Sequence, residues 1–297
     1  MNQLIRNIGI PPAAADIDYR HEDASFTTRL REAIERDELC LHYQPQYRSV
    51  DGRSCGVEAL ARWFPDNGPP IAPIVFVNQA EQAGLIAPLG QWVLKKACQN
   101  AMAWDLPNEE PPILCVNVSP YQICPEFSGI LTHALESTGF PASRLELEIT
   151  EGILIQDPEL ALRCLAQWKQ LGVRIALDDF GTGYSSLSYL SRLPVDRLKI
   201  DRSLIQRVLT DSKTAAIVRA LISLGDDLGF AVLAEGVETE AQFEALRHLG
   251  CQQMQGYLLS YPVPAREVET LLTRRWGARR TMSLVTVDIS KRGAIAT

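Results

Sequence analysis

Two aspartates stand side by side at the end of an apolar run. Val173-Arg174-Ile175-Ala176-Leu177 leads into Asp178-Asp179, and Phe180-Gly181-Thr182-Gly183-Tyr184 follows. Adjacent carboxylates repel each other, and a bound cation is one way to bridge or neutralise them. An acidic N-cap for a helix beginning after Gly183 is the other. The ends of the remaining apolar runs decide between the two. One run carries Glu58, with Arg62 following on the same face, and another carries Asn117 within Val116-Asn117-Val118-Ser119. The next carries Glu148, followed by Thr150-Glu151; a later one carries Lys199 and leads to Asp201. Two more lead into Glu235-Gly236-Val237-Glu238 and Gln255-Gly256-Tyr257. A single polar residue at such a place is explained by a salt bridge or a cap. Seven consecutive runs delivering a carboxylate, an amide or an amine to one rim are not. Burying Glu58, Glu148, Asp178, Asp179 and Glu235 together costs many kcal/mol unless cations compensate. Oxygen ligands in this number suit two divalent ions, Mg²⁺ or Mn²⁺. Such a pair can activate a water and stabilise the leaving oxygen in phosphoester hydrolysis. Lys199 suits an attacking hydroxide or transition-state charge, and Arg62 suits a phosphate gripped by two donors.

The elements that must carry these residues follow from the hydrophobic pattern. Apolar runs occur at 40–46, 56–62, 113–118, 145–149, 173–177, 195–200, 231–234 and 251–254. Most are separated by segments of helical period: Gln91–Trp104, Asp157-Pro158 to Gln170 with Gly172 closing, Asp211 to Gly229, and Glu238–His248. A further helix, capped by Ser25, is expected to carry Phe26, Leu30, Ala33 and Ile34 on one face. Eight strands alternating with helices predict an α/β fold of the TIM (β/α)8 barrel type, with a doubly wound open sheet as the alternative. The first two runs are joined by only about ten residues, too few for a crossover helix, so the first strand is expected to be antiparallel. Residues 1–24 read as an N-terminal arm or linker, 25–273 as one domain and 274–297 as a basic C-terminal tail.

Composition narrows the functional classes. With 29 Lys and Arg against 36 Asp and Glu, and no long basic run, a nucleic acid polymer is a poor partner. The seven cysteines form no CxxC pair and read as reduced thiols of a cytoplasmic protein; the four histidines have no ligand spacing. No signal peptide and no transmembrane segment is evident. Asp179-Phe180-Gly181 matches a kinase metal motif, but the accompanying kinase motifs are missing. Gly181-Thr182-Gly183 lacks the rest of a dinucleotide fingerprint.

Taken together, these residues resemble the EAL-domain family, bacterial phosphodiesterases that hydrolyse cyclic di-GMP. Glu58-Ala59-Leu60 is the naming motif, and Arg62 follows it. Tyr43-Gln44-Pro45, Ala80-Glu81, Val116-Asn117-Val118-Ser119 and Glu146 to Glu151 match as well. So do Asp178 to Leu187, Leu198-Lys199-Ile200-Asp201, Ala234 to Thr239, and Gln255-Gly256-Tyr257. The resemblance covers about residues 26 to 273 and implies a modified TIM barrel with a reversed first strand. It implies that Glu58, Asn117, Glu148 and Asp178 hold one metal ion and that Asp178, Asp179 and Glu235 serve a second. It further implies that Glu235 accepts a proton, that Lys199 contacts the nucleophilic water and that Gln255 places waters and the metal shell. Gln44, Leu60 and Arg62 would contact the ligand, and Glu151 would anchor a loop, Phe180–Ser186, that couples the metals to a dimer interface. A homodimer is implied, as is an upstream sensor or GGDEF domain if the chain is a fragment of a longer protein. Ala61, where leucine is common, Leu204, where phenylalanine is common, and the loop enlarged by Pro69-Pro70 are the departures, and none falls on a ligand position.

The expected activity is therefore metal-dependent opening of cyclic di-GMP to linear pGpG. The alternatives are a non-catalytic cyclic di-GMP receptor and a metal-dependent barrel enzyme acting on another phosphoester.

Overall fold

The computed structural model describes residues 24–65, 68–106, 110–152, 157–181, 190 and 192–277. Strands β1 (Leu39–Arg48) and β2 (Ser54–Trp63) form an antiparallel hairpin, registered from Leu39 opposite Trp63 to Tyr47 opposite Ser54. Both strands run longer than the apolar pattern suggests, so the connection shrinks to residues 49–53, which only a reversal can use. Gly52 makes this turn possible. Its φ is +67°, and a Cβ there would lie 2.1 Å from the carbonyl oxygen of Trp276, whose N–H donates to Gly52 O (2.7 Å).

From β2 onward the chain winds through β3 (Ile113–Val118), β4 (Leu145–Thr150), β5 (Arg174–Phe180), β6 (Arg197–Ile200), β7 (Ala231–Ala234) and β8 (Gln253–Met254), each parallel to the last. β1 pairs antiparallel with both β2 and β8 and closes the eight strands into a barrel; a short β9 (Val263–Pro264) takes the part of the β1 edge that β8 leaves. The fold is thus the expected modified TIM barrel with its first strand antiparallel.

The helices are α1 (Ala24–Glu35), α2 (Pro73–Gln82), α3 (Ile86–Met102), α4 (Phe127–Thr138), α5 (Pro158–Gln170), α6 (Arg202–Arg207), α7 (Ser212–Leu228), α8 (Glu240–His248) and α9 (Ala265–Leu272). α5 and α7 start where their aspartate caps predict: Asp157 accepts from Leu160 N–H and Asp211 from Lys213 N–H, both at 2.9 Å. Three starts differ from expectation. Ser25 lies inside α1, whose described residues already begin at Ala24, and not ahead of it. α3 begins at Ile86, before Gln91. α8 begins at Glu240, after Glu238, because Thr239 and Gln242 close a reciprocal capping box there.

Apolar residues that alternate along the strands, among them Val57, Val116, Leu147, Ile149, Leu177 and Leu198, share one buried cluster with Leu131 of α4, Leu165 of α5 and Val218 of α7. The other face of each strand looks into the barrel, and there polar side chains such as Gln46, Glu146, Glu148 and Lys199 stand beside Ala176 and Leu233. Trp276, inside the segment expected to be tail, rests its ring on Phe243 with centroids 4.4 Å apart. Residues 1–23 of the expected N-terminal arm and residues 278–297 of the tail lie outside the described residues, while Ala24 belongs to α1. No helix among the described residues is long and apolar enough to cross a membrane.

Candidate active site

The inward face of the strands is built in two layers. β4 shows the rule: in Leu145-Glu146-Leu147-Glu148-Ile149, the apolar residues join the outer core and the two glutamates stay inside, all of them buried. Period-two alternation therefore places Cys115, Glu146 and Arg197 one layer below Asn117, Glu148 and Lys199. In the reversed β1 the order inverts, so Gln46 lies below Gln44. The register holds the upper layer in rank: Gln44 stands opposite Glu58, and Asn117 opposite Glu148.

In the upper layer Lys199 is fully buried. Its Nζ lies 2.8 Å from Glu148, 3.1 Å from Asp178 and 2.8 Å from Glu235. Glu58 accepts from Asn117 Nδ2 at Oε1 (2.7 Å) and from Gln255 Nε2 at Oε2 (2.6 Å). Gln255 Nε2 also donates to Gln44 Oε1 (3.0 Å). Asp178, Asp179 and Glu235 each bring an oxygen to within 4.8 Å of the others. Consecutive strand residues normally face opposite sides, and the backbone breaks that rule here. Asp179 adopts φ +56°, and the β5–β6 register slips between Leu177 and Phe180. The Asp179 N–H donates to Asp178 Oδ1 (2.9 Å). A non-glycine residue held in the left-handed region is strained, and it lets the two neighbours share one mouth.

The expected residues converge. Gln44, Glu58, Leu60, Arg62, Asn117, Asp178, Asp179, Glu235 and Gln255 line one cavity of about 320 Å³, with Glu148 and Lys199 directly beneath it, touching its acids. Glu151 stands to the side. Its Oε2 accepts from Gly181 N–H (3.4 Å), and its own N–H donates to Asp178 O (3.3 Å), so it ties the exit of β5 to that of β4. Residues 182–189, which hold most of the expected loop Phe180–Ser186 and the helix start after Gly183, lie outside the described residues. The lower layer of Gln46, Cys115, Glu146 and Arg197 was not foreseen, and neither was the Arg202–Glu238 ion pair (2.5 Å) at the cavity lip. Reading back two residues from Asn117, Glu148 and Lys199 finds Cys115, Glu146 and Arg197, three of the four members of that lower layer.

The electrostatics of this layer are one-sided. Burial, then the charges of Glu58, Asp178 and Glu235, push the Glu148 carboxyl well above the carboxylate range despite Lys199. Burial and Asp178 do the same to Glu235, and burial, Asp178 and Asp201 carry Asp179 to about 7. Glu58 moves the other way. Burial would raise it, but Lys199 and the Gln255 and Asn117 donors outweigh that and hold it low. Five carboxylates thus face one ammonium, which Glu148, Asp178 and Glu235 share. This oxygen-only donor set fits divalent cations, which supply the missing charge. Below it, Cys115, Glu146 and Glu148 also approach within 4.8 Å, but Glu146 is already paired with Arg197 (3.0 Å) and burial keeps the Cys115 thiol protonated.

A pH dependence follows for metal-free protein. Asp179, Glu148 and Glu235 have folded-state values above their unfolded ones, so they favour folding while protonated and cost stability as pH rises through the folded values. Melting temperature in EDTA is expected to fall by several degrees between pH 5.5 and pH 8, and a saturating divalent cation is expected to flatten that slope. A melting temperature that rises over this interval in EDTA would show that the acids are not crowded as described.

Comparison with known proteins gives the same reading. The family model described as the EAL domain matches residues 27–262. The bifunctional diguanylate cyclase/cyclic di-GMP phosphodiesterase MucR of Pseudomonas aeruginosa is 44% identical over 246 residues, covering 80% of this chain and 35% of that protein. An uncharacterized signaling protein of Caulobacter vibrioides is 46% identical over 248 residues, covering 83% and 30%. The solved structure titled PaMucR phosphodiesterase, c-di-GMP complex, superposes with a TM-score of 0.78 at 43% identity, covering 82% of this chain and 99% of that one. The chain thus spans about a third of the length of the curated relatives it matches. The described barrel, the rim of acids and the matched motifs agree, and the chain belongs to the EAL-domain family.

Proposed function

We propose that this domain is a metal-dependent phosphodiesterase that opens cyclic di-GMP to linear pGpG. The observation that carries the reading is the complete inner rim: five carboxylates, an amide and a buried lysine converge on one cavity with no member replaced. The names of the relatives support it, since MucR and the 38% identical NbdA are both named as cyclic di-GMP phosphodiesterases, and the matching solved structure carries cyclic di-GMP in its title.

Glu58, Asn117, Glu148 and Asp178 would hold one Mg²⁺ or Mn²⁺, and Asp178, Asp179 and Glu235 a second. When bound, such ions acidify a water and offset the charge of the leaving oxygen. The chain's own groups do the rest. Lys199, held among three acids, offers its ammonium to the attacking oxygen, and Glu235 beside it accepts the proton released. Arg62 grips a phosphate from the cavity wall with two donors, while Gln44 and Leu60 contact the ligand. Gln255 keeps a donor on Glu58 and orders the waters. We further propose a homodimer joined near the exit of β5. If the chain is a fragment of a longer protein, an upstream sensor or GGDEF domain would govern the activity. The seven free thiols suit the cytoplasm.

The test is incubation with cyclic di-GMP and Mg²⁺ or Mn²⁺, with products separated by chromatography at several protein concentrations. pGpG is expected, its formation abolished by EDTA and restored by excess metal. Specific activity that rises with protein concentration would mark the dimer. Folded protein that binds cyclic di-GMP and turns none over in either metal would overturn the proposal in favour of a receptor.

A further inference from the structure

We propose that Gln46 is a positioning residue: clamped by Arg197, it fixes which way round the amide of Gln255 faces, and so keeps a donor pressed on Glu58. Arg197 Nη1 donates to Gln46 Oε1 (2.6 Å) and pairs with Glu146 Oε1 (3.0 Å). A guanidinium only donates, so the oxygen of Gln46 must face Arg197 and its NH₂ must face away. That NH₂ donates to Gln255 Oε1 (2.9 Å). Gln255 is then obliged to turn its own NH₂ towards Glu58 Oε2 (2.6 Å) and Gln44 Oε1 (3.0 Å). Each amide has a donor end and an acceptor end, so a choice made at Arg197 is transmitted through two glutamines to the carboxylate. All the links are buried: Gln46 is 0%, Arg197 3% and Gln255 4% exposed. With the clamp gone, Gln255 keeps its two acceptors, Glu58 and Gln44, but loses the donor that holds its carbonyl oxygen on the far side, and the reversed orientation sets that oxygen against Glu58. The neighbouring strand leaves room for the clamp. Gly56 stands opposite Gln46, and a Cβ there would lie 2.4 Å from Gln46 Oε1.

The inference rests on the reading of Glu58 as a metal ligand, and the test separates the two. Gln46→Glu keeps the shape and the Arg197 pairing but sets an acceptor against Gln255 Oε1 where it had a donor, which draws the Gln255 NH₂ away from Glu58. Mn²⁺ binding to nucleotide-free protein, measured by calorimetry, is expected to weaken roughly 10–100-fold, the usual cost of losing a partner that orients a ligand. Hydrolysis is expected to recover as Mn²⁺ is raised. The decisive measurement is the double variant: in a Gln255→Leu background, Gln46→Glu is expected to change Mn²⁺ affinity less than about twofold, because Gln46 acts only through Gln255. Gly56→Ala, which pushes Gln46 from the neighbouring strand, is expected to weaken binding in the same direction and serves if Gln46→Glu does not fold. Unchanged Mn²⁺ affinity in either folded variant, or an undiminished effect in the Gln255→Leu background, overturns the proposal while leaving an active wild type untouched. Wild type that binds Mn²⁺ without hydrolysing cyclic di-GMP fails the activity reading alone. Wild type that binds no Mn²⁺ fails both.

Discussion

Alanine in place of Glu58 is expected to cut pGpG formation at least ~10³-fold at saturating Mn²⁺ and to leave the protein folded. Two ions sharing few ligands lose both position and charge when a carboxylate goes, and each 1.36 kcal/mol added to the barrier is about tenfold in rate. Folding should survive for two reasons. Removal of Glu58 lifts a like charge from Glu148, Asp179 and Glu235 in the metal-free state, which offsets the loss of its own attraction to Lys199. Glu58 also faces the cavity, where water can reach the Asn117 Nδ2 and Gln255 Nε2 that it leaves behind. Initial rates, circular dichroism and a Mn²⁺ titration on one preparation check the three parts. A variant that keeps its rate within tenfold of wild type would remove Glu58 from the metal set.

What could be read from the chain was the upper layer, because it stands where apolar runs stop. Asp178-Asp179, Glu148 and Lys199 interrupt otherwise apolar sequence, and a charge there needs a reason. The reversed first strand was legible from chain length alone, since the link between the first two runs cannot cross a barrel. The lower layer was hidden for the opposite reason. Arg197 sits inside the run that ends at Ile200, and Glu146 inside one that ends at Ile149, so both pass as incidental polar residues in strands. Yet Leu145-Glu146-Leu147-Glu148-Ile149 alternates strictly, and a parallel strand covered by helices on one side and packed on the other should read as nearly continuous apolar sequence. That alternation is the mark of a polar barrel interior. The left-handed Asp179 left no such mark, since a bulge is set by its neighbours in the sheet and not by its own residue type. The start of α8 was missed through capping chemistry, where Thr239 and Gln242 satisfy each other's backbone two residues beyond the first acidic residue.

Methionine at position 199 is expected to do two separable things. It keeps most of the volume of the lysine and removes its charge, so Glu148, Asp178 and Glu235 lose the ammonium that lies within 3.1 Å of all three. Breaking a buried pair from one side typically costs about 3–5 kcal/mol, because the remaining charge stays buried without its partner. In EDTA at pH 8 that predicts a drop in melting temperature of roughly ten degrees, at about 2–4 °C per kcal/mol for a chain of this size. Two treatments should restore it: lowering the pH towards 5.5, which favours protonation of Glu148, Glu235 and Asp179, and adding Mn²⁺, which supplies positive charge to the same site. Activity should respond differently. Mn²⁺ is expected to bring back stability but leave hydrolysis depressed at least ~10²-fold, because the lysine's place beside the attacking oxygen is not one that a cation held by Glu58 or Asp179 can fill. Recovery of both together would reduce Lys199 to a counter-charge for the acids. Recovery of neither would mean that the acids do not hold divalent cations, and the proposed chemistry would fall with them.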